Sequence, residues 1–421
     1  MTATRSILKR TRSLSPLTYE EVDAEVVLED GKVFLEKRDE KGGFYKSLLE
    51  NDYAFYHLMT GEKVDSQVSP HAIDLYVSSK CNLSCPVCYE DIGGKQPLAV
   101  EEVERLLSGF ENKVIGLMGR EPTCREEIFD IIGIAGRKNR ACLITNGVNL
   151  ADFDYVMRLK EAGVDSITFS FNGFDDDIYR RMNGKPLLKV KLQALQNIKR
   201  AGINTCLSAT LARGVNEDQV RPLADYCFDN RSFIFELRIR TTEPVGRSID
   251  VQPYCMSELV RLVADSLEID REDILKEYRF WQQVLEETRL PVPDNVRKFA
   301  RTRLCSFNFH VRKNHCYTAV GSLIDLEAIR NAYFKEPVVA YNFLRAYGIK
   351  TISKNLSVLF KTRPLWKETD GMMIVLRTWP NIYNIDLEEN RKCPTLYYKN
   401  GVFLPFCYAN ATERDPSEAT D

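Results

Sequence analysis

No stretch of the chain approaches the roughly eighteen consecutive apolar residues that a membrane-spanning helix needs. Nor is there a charge excess: 58 Lys plus Arg stand against 60 Asp plus Glu, so no global field draws the protein to nucleic acid or an anionic membrane. The opening MTATRSILKRTRSLSPL is basic but lacks the apolar core of a secretory signal. Residues 1–18 therefore read as a flexible leader, and the expected address is cytoplasmic. What the chain has is a globular composition, 44% hydrophobic and 10% aromatic, which excludes wholesale disorder. Its 421 residues suffice for one large domain or two to three smaller ones.

Twelve cysteines need a reason in that compartment. Cytosolic thiols are kept reduced, so a disulfide framework is the poor reading, and metal ligation or burial remain. Cys142, Cys206 and Cys227 sit in apolar runs, where a free thiol packs as a small hydrophobe. Cys124 and Cys255 have no assignment from sequence.

Residues 22–37 form two β-rich runs around Asp30-Gly31, a two-residue hairpin signal. They open a small N-terminal unit spanning 19–70. From Ala72 the texture becomes alternating strand and helix. Short β-branched runs fall at 72–79, 113–119, 141–147, 165–173, 203–211 and 232–240, with amphipathic helical stretches between them. That repetition implies parallel strands with right-handed crossovers. The expected fold is α/β, an incomplete (β/α)6 barrel over 71–250, with a doubly wound sheet as the runner-up on pattern alone. Residues 255–300 and 325–370 read as helical. The extension 251–411 closes on a hairpin with its turn at Asn400-Gly401, and a polar tail, 412–421, reads as disordered.

The first barrel strand runs into SSKCNLSCPVCYE, which places Cys81, Cys85 and Cys88 in a C-x3-C-x2-C loop. Ligands gather at the C-terminal ends of such strands. Three thiolates this close can hold three corners of a 4Fe-4S cluster, leaving the fourth iron for a non-protein ligand. A zinc knuckle and three unrelated thiols are the plainer readings. Zinc wants a fourth Cys or His at finger spacing, and none stands between Cys88 and Cys124.

This loop resembles the signature of the radical S-adenosylmethionine superfamily. The resemblance implies that the open iron binds the methionyl amine and carboxylate of S-adenosylmethionine. One electron then gives methionine and a 5′-deoxyadenosyl radical that abstracts a substrate hydrogen. Further landmarks follow in order. Gly119-Arg120-Glu121-Pro122-Thr123 is similar to the family's Gly-Gly-Glu-Pro segment, which meets the amine, with Arg120 departing from the pattern. Thr145 and Asn146 end the third strand, and Ser170 and Asn172 the fourth. The fifth carries Ser208 and Thr210. The sixth carries Arg238 and Arg240 on one face, one of which pairs with the methionyl carboxylate in this reading.

A narrower resemblance is to the subgroup containing the archaeal tetraether lipid synthases. It rests on CNLSCPVCYE, on MGREPTCREEIFDII and on the closing DLEENRKCPTLYYKNGVFLPFCYAN. The N-terminal unit is similar to that group's rubredoxin-like module but has no cysteine in the matching stretches, so it is expected to be metal-free. In the closing hairpin, Lys399 should face Val402 and bring Cys407 opposite Pro394, beside Cys393. With Cys305 and Cys316 upstream, these thiols are candidates for a second, auxiliary 4Fe-4S cluster, His310 or His315 standing as substitute ligands.

The leading expectation is thus a radical enzyme acting on an unactivated C–H bond of a lipid, peptide or other natural product. It would be reduced by a flavodoxin or ferredoxin. A lipid predicts a long apolar tunnel and a peptide a polar cleft. The competing class is a non-catalytic iron–sulfur or zinc protein serving as electron carrier or scaffold. A cobalamin-dependent methylase is disfavoured, because roughly seventy residues before the barrel are too few for a cobalamin domain. The charge balance lends nucleic-acid modification no support.

Overall fold

The computed structural model describes residues 5–60, 70–89, 96–244, 247, 252–287, 304–323 and 371–412. Four strands, β1 (Arg5–Leu14), β2 (Glu21–Glu29), β3 (Lys32–Arg38) and β4 (Phe44–Glu50), form an antiparallel sheet in chain order. Asp30 and Gly31 both have positive φ, 50° and 78°, as a tight hairpin with native twist requires. Ala24, Val26, Val33 and Leu35 make the buried face, closed by Tyr56 of helix α1 (Tyr53–Thr60).

The expected flexible leader is instead strand β1. Its basic residues, which look like a solvated tail in sequence, are matched by acids on neighbouring strands. Arg12 bonds Asp23 at 2.7 Å and Arg5 bonds Glu36 at 2.8 Å. The sheet is tied to the rest of the chain by buried polar groups. Lys37 Nζ donates to the Ile382 carbonyl at 2.6 Å and to Ser13 Oγ at 3.0 Å. The Glu50 carboxylate accepts from the Ser257 N–H (3.1 Å) and hydroxyl at the start of a barrel helix.

The main sheet runs β12-β11-β13-β10-β9-β8-β7-β6-β5-β14-β15. Its centre is the six expected strands, β5 (Ala72–Ser78), β6 (Val114–Gly119), β7 (Arg140–Thr145), β8 (Ser166–Ser170), β9 (Asn204–Leu211) and β10 (Ile234–Thr241). All pair in parallel. Between them lie α2 (Val100–Leu107), α3 (Ile128–Gly136), α4 (Phe153–Glu161), α5 (Asp176–Asn183), α6 (Leu188–Ala201) and α7 (Val220–Asp229), followed by α8 (Met256–Leu267) and α9 (Arg271–Glu287). Ile73, Leu75, Val77, Ile115 and Leu117 join the helices in one core, as continuous apolar strands of a covered parallel sheet should. Cys206 and Cys227 are buried as expected, and Cys142 is half-buried, 3.5 Å from the Thr168 hydroxyl. No helix among the described residues is long and apolar enough to cross a membrane.

The expected helical stretch 255–300 is α8 and α9 where it is described, and the described chain after it is more strand than helix. It supplies β11 (Ser306–Asn314), β12 (Cys316–Ala319), α10 (Val320–Leu323), β13 (Gly371–Arg377), α11 (Leu387–Asn390), β14 (Thr395–Lys399), β15 (Val402–Pro405) and α12 (Phe406–Ala411). β13 extends the parallel set beyond β10, and β14 does so beyond β5. Residues 288–303, 324–370 and 413–421, part of the helical and tail expectations, lie outside the described residues. The hairpin turn is where the sequence puts it, with Lys399 opposite Val402. However, the strand stops at Pro405 and Cys407 lies in α12, so it does not face Pro394 across a ladder.

The sheet is rolled. In a flat sheet β5 and β10 would stand five strand spacings, about 24 Å, apart. Yet the Asp74 carboxyl on β5 feels the charges of Arg238 on β10 and Arg377 on β13. The inward face thus carries charged groups beside a second apolar cluster that joins Tyr76 and Met118 to Tyr397 and Phe406. Burial pushes Asp74 up to about 7, against the pull of those two arginines. Between its unfolded value near 4 and about 7, the folded state holds one more proton than the unfolded state, so stability falls as pH rises through this window. Asp74→Asn cannot lose that proton. Its urea midpoint should gain on wild type between about pH 5 and about pH 8, and an unchanged difference across that range would show Asp74 to be uninvolved.

Candidate functional site

The three-cysteine loop leaves the C-terminal end of β5 and is fixed by its neighbours. Arg120 N donates to Ser78 O and Glu121 N to Lys80 O, both at 2.9 Å. Gly119 allows this approach. Its φ is +142°, and a Cβ there would stand 2.4 Å from the Ser78 carbonyl oxygen. Two carboxamides address the thiols from other elements. Asn146, after β7, places Nδ2 3.8 Å from Cys81 Sγ, and Asn183, at the end of α5, places Nδ2 3.3 Å from Cys85 Sγ. Cys88 N closes the loop on Cys85 O at 3.3 Å.

Glu121 is buried and caps the turn Pro122–Cys124. Its Oε1 accepts from Thr123 N (3.1 Å), Thr123 Oγ1 (2.6 Å) and Thr145 Oγ1 (2.6 Å), and its Oε2 accepts from Asn146 N (2.7 Å). Burial pushes this carboxyl up, opposed by the four donors. Glu121 and Thr145 thus bracket the ends of β6 and β7 and do not line the adjoining cavity. Gly119 and Pro122 shape the same bracket.

That cavity, about 150 Å³, opens beside Cys85 and Cys88. Of the residues expected to meet a cofactor, Asn146, Ser170, Asn172, Thr210 and Arg240 line it. Ser208 does not, although its hydroxyl is buried without a partner. The two arginines diverge. Arg238 is neutralised by Glu236, whose Oε1 stands 2.7 Å from its Nε and 2.6 Å from an NH2. Arg240 stacks over Trp379 at 5.3 Å and keeps a buried Nε without a partner. Burial depresses its ordinary pKa. Sequence reasoning missed Asn183, Glu243 and Trp379, which also line this cavity. Glu243 is buried and pushed up to about 7 by that burial, while bonds from Thr241 (2.6 Å), the Trp379 N–H and Asn381 (each 3.3 Å) favour its charge.

These residues fit an iron–sulfur cluster with an amino-acid ligand. Among the described residues, no group of three Cys, His, Asp or Glu side chains is placed to hold a single metal ion. Thiolates on three different irons of a cubane stand further apart than ligands of one ion. The N–H groups aimed at sulfur, and the orphaned Asn183 Oδ1 and Arg240 Nε, are polar groups that await a partner.

The second cysteine group only partly assembles. Cys305, Cys393 and Cys407 line a separate cavity of about 390 Å³, together with Cys255. Burial, then the neighbouring Cys305 and Cys393, pushes the Cys407 thiol up. Cys316 is exposed at the other end of β11, nine residues or about 30 Å of strand from Cys305. His315 is its exposed neighbour, and His310 is bonded to Glu277 at 2.7 Å. Neither histidine lines the cavity. Glu243 and Trp379 line both cavities and form the wall between them.

Residues 75–227 match the sequence model of the Radical SAM superfamily. The chain is 25% identical over 357 residues to the 7,8-dihydro-6-hydroxymethylpterin dimethyltransferase of Methanocaldococcus jannaschii, covering 75% of this chain and 68% of that one. It is 31% identical over 213 residues to the GTP 3′,8-cyclase of Parasynechococcus marenigrum, covering 44% of this chain and 60% of the relative. Among solved structures, Streptococcus suis SuiB bound to its precursor peptide superposes with a TM-score of 0.40 at 19% identity, over 46% of this chain and 45% of that one. The shared region is the one that carries the three-cysteine loop and the strand ends around it: the chain holds a domain of the Radical SAM superfamily over residues 75–227.

Proposed function

We propose that the protein is a radical enzyme whose centre is the Cys81, Cys85, Cys88 loop. One observation carries this: of three thiols at a strand end, two, Cys81 and Cys85, are met by carboxamide N–H groups, and two, Cys85 and Cys88, border a cavity also lined by Arg240, whose buried Nε has no partner. When bound, a 4Fe-4S cluster there supplies the electron that splits S-adenosylmethionine into methionine and a 5′-deoxyadenosyl radical, which takes hydrogen from a substrate C–H bond. Cys81, Cys85 and Cys88 hold three corners. Asn146 and Asn183 donate to sulfur, which stabilises its negative charge. Arg240 pairs with the methionyl carboxylate, because it lines the cavity and its buried Nε has no partner while Arg238 is already neutralised. Trp379 and the β-strand ends keep water from the reacting atoms.

The substrate lies in the neighbouring cavity of about 390 Å³. That size suits a compact molecule. Its wall mixes Leu48, Leu49, Met59 and Met256 with Glu243, Asn381 and Asn390, unlike the long apolar tunnel that a lipid chain requires. This favours a polar natural product, and the pterin and GTP in the names of the two relatives are of that size and polarity. Cys305, Cys393 and Cys407 border the same cavity and are the candidates for an auxiliary 4Fe-4S cluster, with Cys316 removed from the set.

Iron and sulfide per chain after anaerobic reconstitution test the centre. The Cys81/Cys85/Cys88→Ala variant should lose about four irons relative to wild type and form no 5′-deoxyadenosine with dithionite and S-adenosylmethionine. Unaltered 5′-deoxyadenosine production would sink the assignment. Wild-type protein that holds iron but never yields 5′-deoxyadenosine would make this an electron carrier instead. About four irons remaining in the variant would support the auxiliary cluster. Arg240→Met should weaken S-adenosylmethionine binding on the order of tenfold or more, a charged hydrogen bond being worth ~1.5–3 kcal/mol. Arg238→Met should change it far less. Isothermal titration of the reconstituted proteins separates the two, and equal losses would reject the assignment of the carboxylate to Arg240.

A further inference from the structure

Helix α6 buries Ala194, Leu195 and Ile198 on one face, and the same helical repeat puts Lys191 in line with them. The position asks for an aliphatic residue. A lysine there is also in the first turn, where the helix dipole disfavours a cation. It is fully buried, 0% exposed, and its nearest bonded partners are carbonyl oxygens, not a carboxylate. Nζ donates to Asn146 O at 2.8 Å and to Ser170 O at 2.6 Å. The rings of Phe169 and Tyr179 lie 5.4 and 5.6 Å from it. A local rule broken this thoroughly in a core calls for a compensating role.

Its surroundings indicate one. Asn146 and Ser170 are the strand ends that line the cavity beside the cysteine loop, and Asn146 is the residue whose carboxamide reaches Cys81. Burial drags the ammonium down to about 8, and the two groups that act to keep it charged are Cys85 and Glu121. Lys191 thus sits in a low-dielectric position, joined to the thiol loop through Asn146, whose carbonyl it bonds and whose carboxamide reaches Cys81. We propose that Lys191 is a buried positioning cation of the cysteine-loop site, its charge favouring electron uptake by the cluster held there and its two hydrogen bonds fixing the strand ends that line the cavity. A cluster gains negative charge on reduction, and net charge nearby is one of the levers that set its potential. This rests on the proposed function above.

Lys191→Met keeps the volume and removes both charge and donors. Lys191→Gln keeps a donor and removes the charge, and guards against a Met variant that fails to fold. Both are reconstituted anaerobically beside wild type. Iron and sulfide are counted, and the midpoint of the cluster is read by EPR during reductive titration, the relevant signal being the one that changes when S-adenosylmethionine is added. Both variants should load as wild type does. In both, the reduction equilibrium should fall at least tenfold, a midpoint about 59 mV more negative for one electron. Glutamine should not restore it, because charge and not the donor is the cause. Midpoints equal to wild type in loaded variants, whatever happens to their urea stability, would overturn the proposal and leave Lys191 a structural residue. So would a midpoint restored by glutamine alone. Wild-type protein that takes up no cluster would overturn the function reading itself, a result distinct from either of these.

Discussion

The site depends on one buried carboxylate. Glu121 gathers four donors from two segments: Thr123 of its own turn, and the Thr145 hydroxyl with the Asn146 N–H at the end of β7. Its backbone N–H meanwhile holds Lys80 in the cysteine loop. Each hydrogen bond to a charged group contributes roughly 1.5–3 kcal/mol, yet burial still holds the Glu121 carboxyl above its ordinary pKa, so the four donors offset the cost of burying the charge only in part. From Asn146 the same chain of contacts continues to Cys81 through its side chain and to Lys191 through its carbonyl. Loop, strand ends and buried cation form one polar unit under the cavity. A residue that reads in sequence as a ligand for the methionyl amine acts in the fold as the fastening of the whole site.

The barrel was legible because its strands are doubly buried. β-Branched runs at about thirty-residue spacing have few other uses, and the six strands from Ala72 to Thr241 stand where the runs are. What escaped was structure whose signal is long-range. β1 reads as a basic tail because its stability comes from acids on β2 and β3. In β11, Phe307, Phe309 and Val311 alternate and are fully buried, but the segment drew notice for its Cys and His residues rather than for that alternation. β13 and β14 attach to opposite flanks of the six-stranded core, a pairing that no local pattern encodes.

The functional residues divide along the same line. Spacing alone singles out Cys81, Cys85 and Cys88. Alternation puts Arg238 and Arg240 on one face, yet only the fold reveals that Glu236, two residues before Arg238, neutralises it and leaves Arg240 with an unpartnered nitrogen. Cys316 looked equivalent to Cys305 in sequence, and a nine-residue strand carries it away. Lys191 was invisible for the opposite reason. Within an amphipathic helix a lysine reads as solvent-facing, and the phase of the apolar residues around it was the only sign that it points inward.

Glu243 and Trp379 tie the two cavities into one device. In the proposed reading, a radical formed on one side meets its C–H bond on the other without meeting solvent, which asks for a thin, dry wall between them. Here it is one indole and one carboxyl group, held by Thr241, Asn381 and the Trp379 N–H. The far side of that wall draws on the N-terminal sheet at Leu48, on Met256 of α8 and on Asn390 of α11, three segments remote from one another in sequence. The cavity beside the cysteine loop draws mostly on the shared domain, with Arg240, Glu243 and Trp379 added from beyond it. The larger cavity, proposed above for the substrate, is lined by residues outside that domain, which explains why the class of chemistry can be read along the chain while the shape of that cavity emerges only from how the flanking segments fold onto the barrel.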